Sequence, residues 1–200
     1  MLQYIVKSSE TNDILNQTRT ALDAGCKWIE IKAPAEISDE ILESVIEKVK
    51  PLAKEKEATL TIASRVTLAK KTGVDGVQLY EGDMPASAAR MELEAGPIIG
   101  ISVRNQDEVE RNMHFDVDYF RMEPLFEKDA EHLDVLAAIA AILRNARSDK
   151  PLAAAGGITA DNVEGVLAAG AEGVAADSSV AGEDESVADA ISRLINRIKN

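Results

Sequence analysis

The sequence predicts a closed (β/α)8 barrel in a single domain spanning residues 1–200. Short β-rich runs alternate with helix-length segments, the runs number eight, and the chain ends on a strand–helix unit. Alternation of this kind builds parallel strands joined by crossover helices. Eight units in 200 residues leave about 25 residues for each, the compact end of what this barrel allows. An open doubly wound sheet is the competing architecture; the count and the ending favour closure.

In chain order the expected strands are Gln3–Lys7, Trp28–Lys32, Thr59–Ser64, Gly76–Tyr80, Ile98–Val103, Tyr119–Met122, Leu152–Ala155 and Gly173–Ala176. Helical segments fall between them, with apolar residues near three- and four-residue spacing in Thr11–Ala24, Ser38–Lys56 and Glu131–Arg147. The phrases "AGCKWIEI", "TGVDGVQL" and "AGAEGVAA" each place a glycine at a helix end ahead of a strand. Glycine takes the left-handed cap there, so the repetition is recurrent loop chemistry and need not record a duplication.

A hydrophobic content of 46 % supplies one sizeable core. No uncharged apolar run is long enough to span a bilayer, and "MLQYIVKSSE" reads as a strand rather than a secretory signal. Cys26 is the only cysteine, so no disulfide forms within the chain and the cytoplasm is the expected compartment. A net charge of −13 argues against nucleic acid and anionic membranes as partners. It leaves room for a small phosphorylated substrate held by a local cationic patch. No feature of the sequence sets an oligomeric state.

Active sites of such barrels lie where strands end, and phosphate commonly binds after strands seven and eight. Gly156 and Gly157 follow the seventh strand and "DSSV" the eighth, so Gly156, Gly157, Ile158, Ser178 and Ser179 are the candidate phosphate site. Glycine lets backbone approach an anion, and serines add hydroxyl donors. A plain tight turn, with Thr159 or Asp161 capping the next helix, accounts for the same residues and can coexist with an anion site. Lys7, Lys32, Arg65, Arg104 and Arg121 all fall near strand ends. About two or three of the five are expected to face the mouth.

With "GCKWIEIK", "TGVDGVQLYEGDMP", "IIGISVRN", "VDYF" and "AAAGGITADNVEGVLAAGAEGVAADSSV", nearly the whole chain resembles the thiamine phosphate synthase family and its thiazole tautomerase relatives. The resemblance implies a barrel that joins a pyrimidine pyrophosphate to thiazole phosphate with Mg²⁺, releasing pyrophosphate. It places Gly156, Gly157 and Ile158 in the phosphate loop, Ser178 and Ser179 in its partner loop, and Ser102 after strand five. It makes Arg65 the arginine after strand three and Asp83 an acidic metal ligand, with Glu81 beside it. On this reading Lys32, Arg104 and Arg121 neutralise pyrophosphate, and Ser102, Arg65 and Lys32 form the catalytic set.

Departures concentrate on the pyrophosphate side. The family's Asn-Asp pair falls on Ala63 and Ser64, and its strand-two Gln-x-Arg-x-Lys falls on Glu30, Lys32 and Pro34. The loop after strand six has no Thr-x-Thr-Lys unless Lys128 substitutes, and the tautomerase histidine falls on Pro124. Mg²⁺ needs hard oxygen ligands, so loss of the aspartate weakens its site.

Two alternatives stay open. One is a phosphate-ligand-binding barrel that has lost the pyrophosphate and metal site. The other is a keto-deoxy-phosphogluconate-type aldolase, which "IEIKAP" and "GGITADNV" also resemble; Glu30 would supply its glutamate, but Arg121 stands at its lysine position and forms no imine. His114 and His132 lack metal-ligand spacing and read as surface residues, Cys26 as a structural thiol, and Met91, Met113, Met122 and Phe126 as packing. Gly157→Val is expected to abolish phosphate-ligand binding with little change in fold.

Overall fold

A computed structural model of the protein describes residues 1–127 and 130–199. Lys128, the candidate substitute in the sixth loop, lies outside the described residues. The elements run β1 (Leu2–Lys7), α1 (Thr11–Asp23), β2 (Trp28–Lys32), α2 (Asp39–Glu55), β3 (Thr59–Ala63), α3 (Val66–Thr72), β4 (Gly76–Leu79) and α4 (Ala86–Leu93). They continue with β5 (Ile98–Val103), α5 (Gln106–Asn112), β6 (Tyr119–Met122), α6 (Leu133–Asn145), β7 (Leu152–Ala155), α7 (Val163–Ala168), β8 (Gly173–Ala176) and α8 (Val187–Lys199). A short antiparallel hairpin, Phe126–Glu127 with Ala130–Glu131, interrupts the sixth unit.

The eight long strands close in the order β1-β8-β7-β6-β5-β4-β3-β2, all neighbours parallel. Closure rests on β1, which pairs with β2 on one side and with β8 on the other. An open sheet would leave β1 or β8 as an edge.

Side chains alternate across each strand, and the alternation sorts this chain into two interiors. Tyr4, Val6, Ile29, Ile31, Leu60, Ile62, Val77, Ile99 and Phe120 face outward and pack with the helices into one annular core. The opposite faces fill the bore, which is largely polar: Gln3, Glu30, Thr61, Gln78 and Arg121 are all buried. Among the described residues, only Ile5, Ala155 and Ala175 form an apolar cluster apart from the outer core. Gly100 shows how tightly the bore is filled. A Cβ there would stand 2.2 Å from the Tyr119 ring and 2.4 Å from Gln78 Oε1.

Among the boundaries that shift from the sequence expectation, three have plain local reasons. β3 stops at Ala63 because Ser64 turns to φ 67°. α6 begins at Leu133 because Glu131 pairs in the hairpin. Ser38 precedes α2 as its cap, accepting the Ile41 N–H at 3.4 Å. Met91 is 83 % exposed, against the packing role expected of it, whereas Met122 is buried. Among the described residues no helix is long and apolar enough to cross a membrane.

Candidate active site

Two of the small pockets at the C-terminal mouth of the barrel meet at one wall. The first, about 150 Å³, is lined by Lys7, Gly156, Gly157, Ile158, Asp177 and Ser179 over a floor of Ile5, Ala155 and Ala175. Gly156 and Gly157 have φ of 100° and 66°, which side-chain-bearing residues rarely adopt. They also lie under the segment after β6: Leu125 N–H donates to Ala155 O at 2.8 Å and Phe126 N–H to Gly156 O at 3.1 Å. The turn is closed by Asn162, whose Nδ2 donates to Gly157 O and whose Oδ1 accepts the Thr159 N–H, each at 2.9 Å. Asn162, not Thr159 or Asp161, stands at the N-cap position of α7, and its side chain makes no capping hydrogen bond to that helix. Because α7 spans only six residues, attraction for an anion has to come from the loop itself and from Lys7.

After β8, Asp177 organises the partner loop. Its Oδ1 accepts the Ser179 N–H at 2.9 Å and the Ser179 hydroxyl at 2.6 Å, and its Oδ2 pairs with the Lys7 ammonium. Burial pushes the Asp177 carboxyl up, but the bonds from Lys7 and Ser179 outweigh it and hold the group below its ordinary value. Ser178 sits in the same 3-10 turn and is exposed.

The second pocket, about 270 Å³, is lined by Lys32, Tyr80, Ser102, Arg104, Glu108 and Glu123, with Glu81 and Pro124 at its margin. The Lys32 ammonium stands 3.5 Å above the centre of the Tyr80 ring, a cation–π contact. Burial lowers the Lys32 pKa from the usual lysine value, against the attraction of Glu123 and Glu30. Glu123 and Pro124 line both pockets.

A closed ring of hydrogen bonds supports this wall from within the bore. Gln3 Nε2 donates to the Tyr119 hydroxyl at 3.3 Å, that hydroxyl donates to Gln78 Oε1, and Gln78 Nε2 donates to Ser102 Oγ at 2.9 Å. Ser102 Oγ in turn donates to Glu123 Oε1. Arg121 completes the ring, donating to Gln3 Oε1 at 2.8 Å and to Glu123 Oε1 through Nε at 3.1 Å and Nη2 at 2.9 Å. It also pairs with Glu30, which accepts the Tyr80 hydroxyl proton at 2.6 Å. Burial opposes charge on Arg121, but Glu30, Tyr80 and Glu123 prevail and hold it protonated well above the arginine norm. Burial, and then Glu30, raise the Tyr80 phenol.

Three of the five rim cations therefore line the mouth pockets: Lys7, Lys32 and Arg104. Arg121 is fully buried inside the ring, where no anion from solvent reaches it. Arg65 lines neither pocket and is engaged by the segment after β2, donating to Asp39 at 2.6 Å and to Pro34 O at 2.9 Å. Asp83 accepts the Tyr80 N–H at 2.8 Å, and Glu81 pairs with Arg104 at the surface. Glu123 and Tyr80 are functional candidates that sequence reasoning passed over. Their signal was the two-residue period: Tyr119, Arg121 and Glu123 alternate along and just past the sixth strand, as Gln78 and Tyr80 do along and just past the fourth.

A family model described as thiamine monophosphate synthase matches residues 2–180. Thiamine-phosphate synthase of Bacteroides fragilis is 34 % identical over 186 residues, covering 90 % of this chain and 91 % of the relative. The Bacteroides thetaiotaomicron counterpart is 32 % identical, covering 90 % and 88 %. Among solved structures, thiamine phosphate pyrophosphorylase from Pyrococcus furiosus superposes with a TM-score of 0.85 at 26 % identity, covering 98 % of this chain and 95 % of the other. A native KDPGal structure reaches a TM-score of 0.75 at 16 % identity, covering 99 % and 94 %, a likeness of fold alone. With its barrel closed, its glycine loop at the mouth and the match running from the first strand past the eighth, the chain belongs to the thiamine monophosphate synthase family.

Proposed function

We propose that this protein is a thiamine phosphate synthase-type transferase acting in thiamine biosynthesis, joining thiazole phosphate to a pyrimidine pyrophosphate. The observation that carries the reading is the pair of adjoining pockets, one built on glycines and one on cations, with Glu123 and Pro124 as their common wall. The thiazole phosphate occupies the first pocket, its phosphate against Gly156, Gly157, Ile158 and Ser179, with Ser178 at the opening. The pyrophosphate of the second substrate lies against Lys32 and Arg104, fixed charges that stabilise it as it leaves. Ionisation of the pyrimidine–pyrophosphate bond gives a carbocation-like pyrimidine, which the thiazole nitrogen traps. Ser102, held by Gln78 and Glu123, orients the reacting groups.

Two residues take different duties from those the resemblance implies. Arg121 is the counter-charge of Glu30 and Glu123 and sets the shape of the wall. Arg65 ties the third loop to the start of α2 through Asp39.

The residues present do not fit Mg²⁺ as they stand. One Asp83 oxygen is committed to a backbone amide, Glu81 is ion-paired, and among the described residues no group of three metal-ligating side chains converges. The steps above are therefore assigned to the chain's own cations. The single, buried Cys26 supports a cytoplasmic setting.

Purified protein with thiazole phosphate, pyrimidine pyrophosphate and Mg²⁺ is expected to give thiamine phosphate over many equivalents, followed by mass spectrometry. The bound Asp83 and the serine at position 64 favour a second reading, a phosphate-ligand-binding barrel without turnover. That reading prevails if thiazole phosphate binds and no product forms.

A further inference from the structure

Two carboxylates, Glu30 in the bore and Glu123 at the wall between the pockets, flank Arg121, and both also attract the Lys32 ammonium. Arg121 is the only guanidinium paired with Glu30 and Glu123 among the described residues, so it balances one of two carboxylates. Glu30 is completely buried, whereas the Glu123 side chain is 20 % exposed. Lys32, the next cation, stacks on Tyr80 and forms no ion pair with Glu123 among the described residues. All three donors that reach Glu123 (Ser102 Oγ, Arg121 Nε and Arg121 Nη2) converge on Oε1. Among the described residues none reaches Oε2. One oxygen is thus fixed by the bore and the other is left for whatever occupies the pockets.

We propose that Glu123 selects for positive charge on the ring held in the glycine pocket, so that the site binds a thiazolium phosphate more tightly than a neutral thiazole phosphate. This rests on the reading that the glycine pocket holds the thiazole phosphate. In the coupling, the carbon–oxygen bond to pyrophosphate breaks and its electron pair leaves with the pyrophosphate. The thiazole nitrogen gives its lone pair to the new carbon–nitrogen bond and ends as a quaternary, positively charged centre. Positive charge therefore develops alongside a carboxylate that is already in place, while the departing negative charge is met by Lys32 and Arg104. A group fixed before the reaction stabilises the charged state without reorganising.

The test is calorimetric binding of two probes: thiazole phosphate and the same molecule methylated on the ring nitrogen, which carries the charge without the pyrimidine. The wild-type protein is expected to bind the methylated cation about tenfold more tightly, the size of a modest charge coupling. In Glu123→Gln, which keeps an acceptor for Ser102 and Arg121, the preference is expected to vanish while thiazole phosphate still binds. Glu123→Asp, which keeps the charge, is expected to retain the preference, and it decides the matter if the glutamine variant fails to fold. Wild-type binding without preference, or a preference that survives in Glu123→Gln, overturns the proposal. Binding of neither probe to the wild type overturns the glycine-pocket reading itself and this assignment with it, a result distinct from binding without discrimination.

Discussion

At the scale of single residues, Arg121 connects stability to the site. It is the counter-ion of a fully buried Glu30 and the anchor of Glu123. Removing one member of a buried pair strands the other charge in a poor solvent, so Arg121→Met is expected to destabilise the fold by about 3–5 kcal/mol. The double variant Arg121→Met/Glu30→Gln should recover part of that loss, as urea unfolding of the four proteins in the cycle would show; a double loss equal to the sum of the two single losses would mean no coupling. Asp177 gives a prediction in pH. Its folded pKa lies below its ordinary 3.8 once the Lys7 and Ser179 bonds have outweighed burial. A depressed carboxyl stabilises the fold above the unfolded pKa and loses that contribution as pH falls through the folded one. Wild type should therefore melt above Asp177→Asn at pH 6, with the gap closing as the pH drops below 3.8. A gap that persists at pH 2 would assign the difference to packing.

At the scale of elements, strand parity determines what the bore can hold, and glycine marks where it is full. Gly100→Ala places a methyl group on the Tyr119 ring and on Gln78. Overpacking of this kind costs about 1–3 kcal/mol, and because both neighbours belong to the ring that holds Ser102, activity should fall with stability. A variant as stable as wild type in urea would show that Tyr119 swings aside freely. The glycine loop after the seventh strand was readable from Gly156-Gly157 together with the serine loop after the eighth, but its second constraint was not. A Cβ on Gly157 would stand 2.8 Å from Phe126 Cβ, with φ already at 66°. Gly157→Val therefore strains the loop as well as filling the anion's place, and the expectation of little change in fold does not fit that geometry. Ser179→Ala, on an exposed turn, avoids that backbone strain and removes one hydroxyl, the one Asp177 Oδ1 accepts at 2.6 Å. The sequence could not show Phe126 there, because that contact comes from a loop about thirty residues earlier, brought across by Leu125 pairing with Ala155.

At the scale of the whole molecule, the eight-unit rhythm was readable because each strand and helix announces itself locally, and closure followed from their number. The charge pattern of the bore was less readable. Whether Arg121 points to solvent or to Glu30 depends on the register of the sixth strand against its neighbours and on the second strand across the bore, and no local signal sets both. Net charge, by contrast, is a sum over the sequence and leads to a kinetic prediction. At −13 the molecule repels anions as a whole, while Lys7, Lys32 and Arg104 attract them only at the mouth, beside Asp177, Glu81, Glu108 and Glu123. The Debye length falls from about 30 Å at 0.01 M salt to about 8 Å at 0.15 M, so salt screens the distant acids before it screens a cation in contact with the ligand. The association rate of thiazole phosphate in stopped flow should therefore rise several-fold over that range, where a site governed by its own cations would slow. A rate that falls with salt would mean that the three mouth cations dominate the field at entry, and that the acids of the outer helices lie too far from the path to matter.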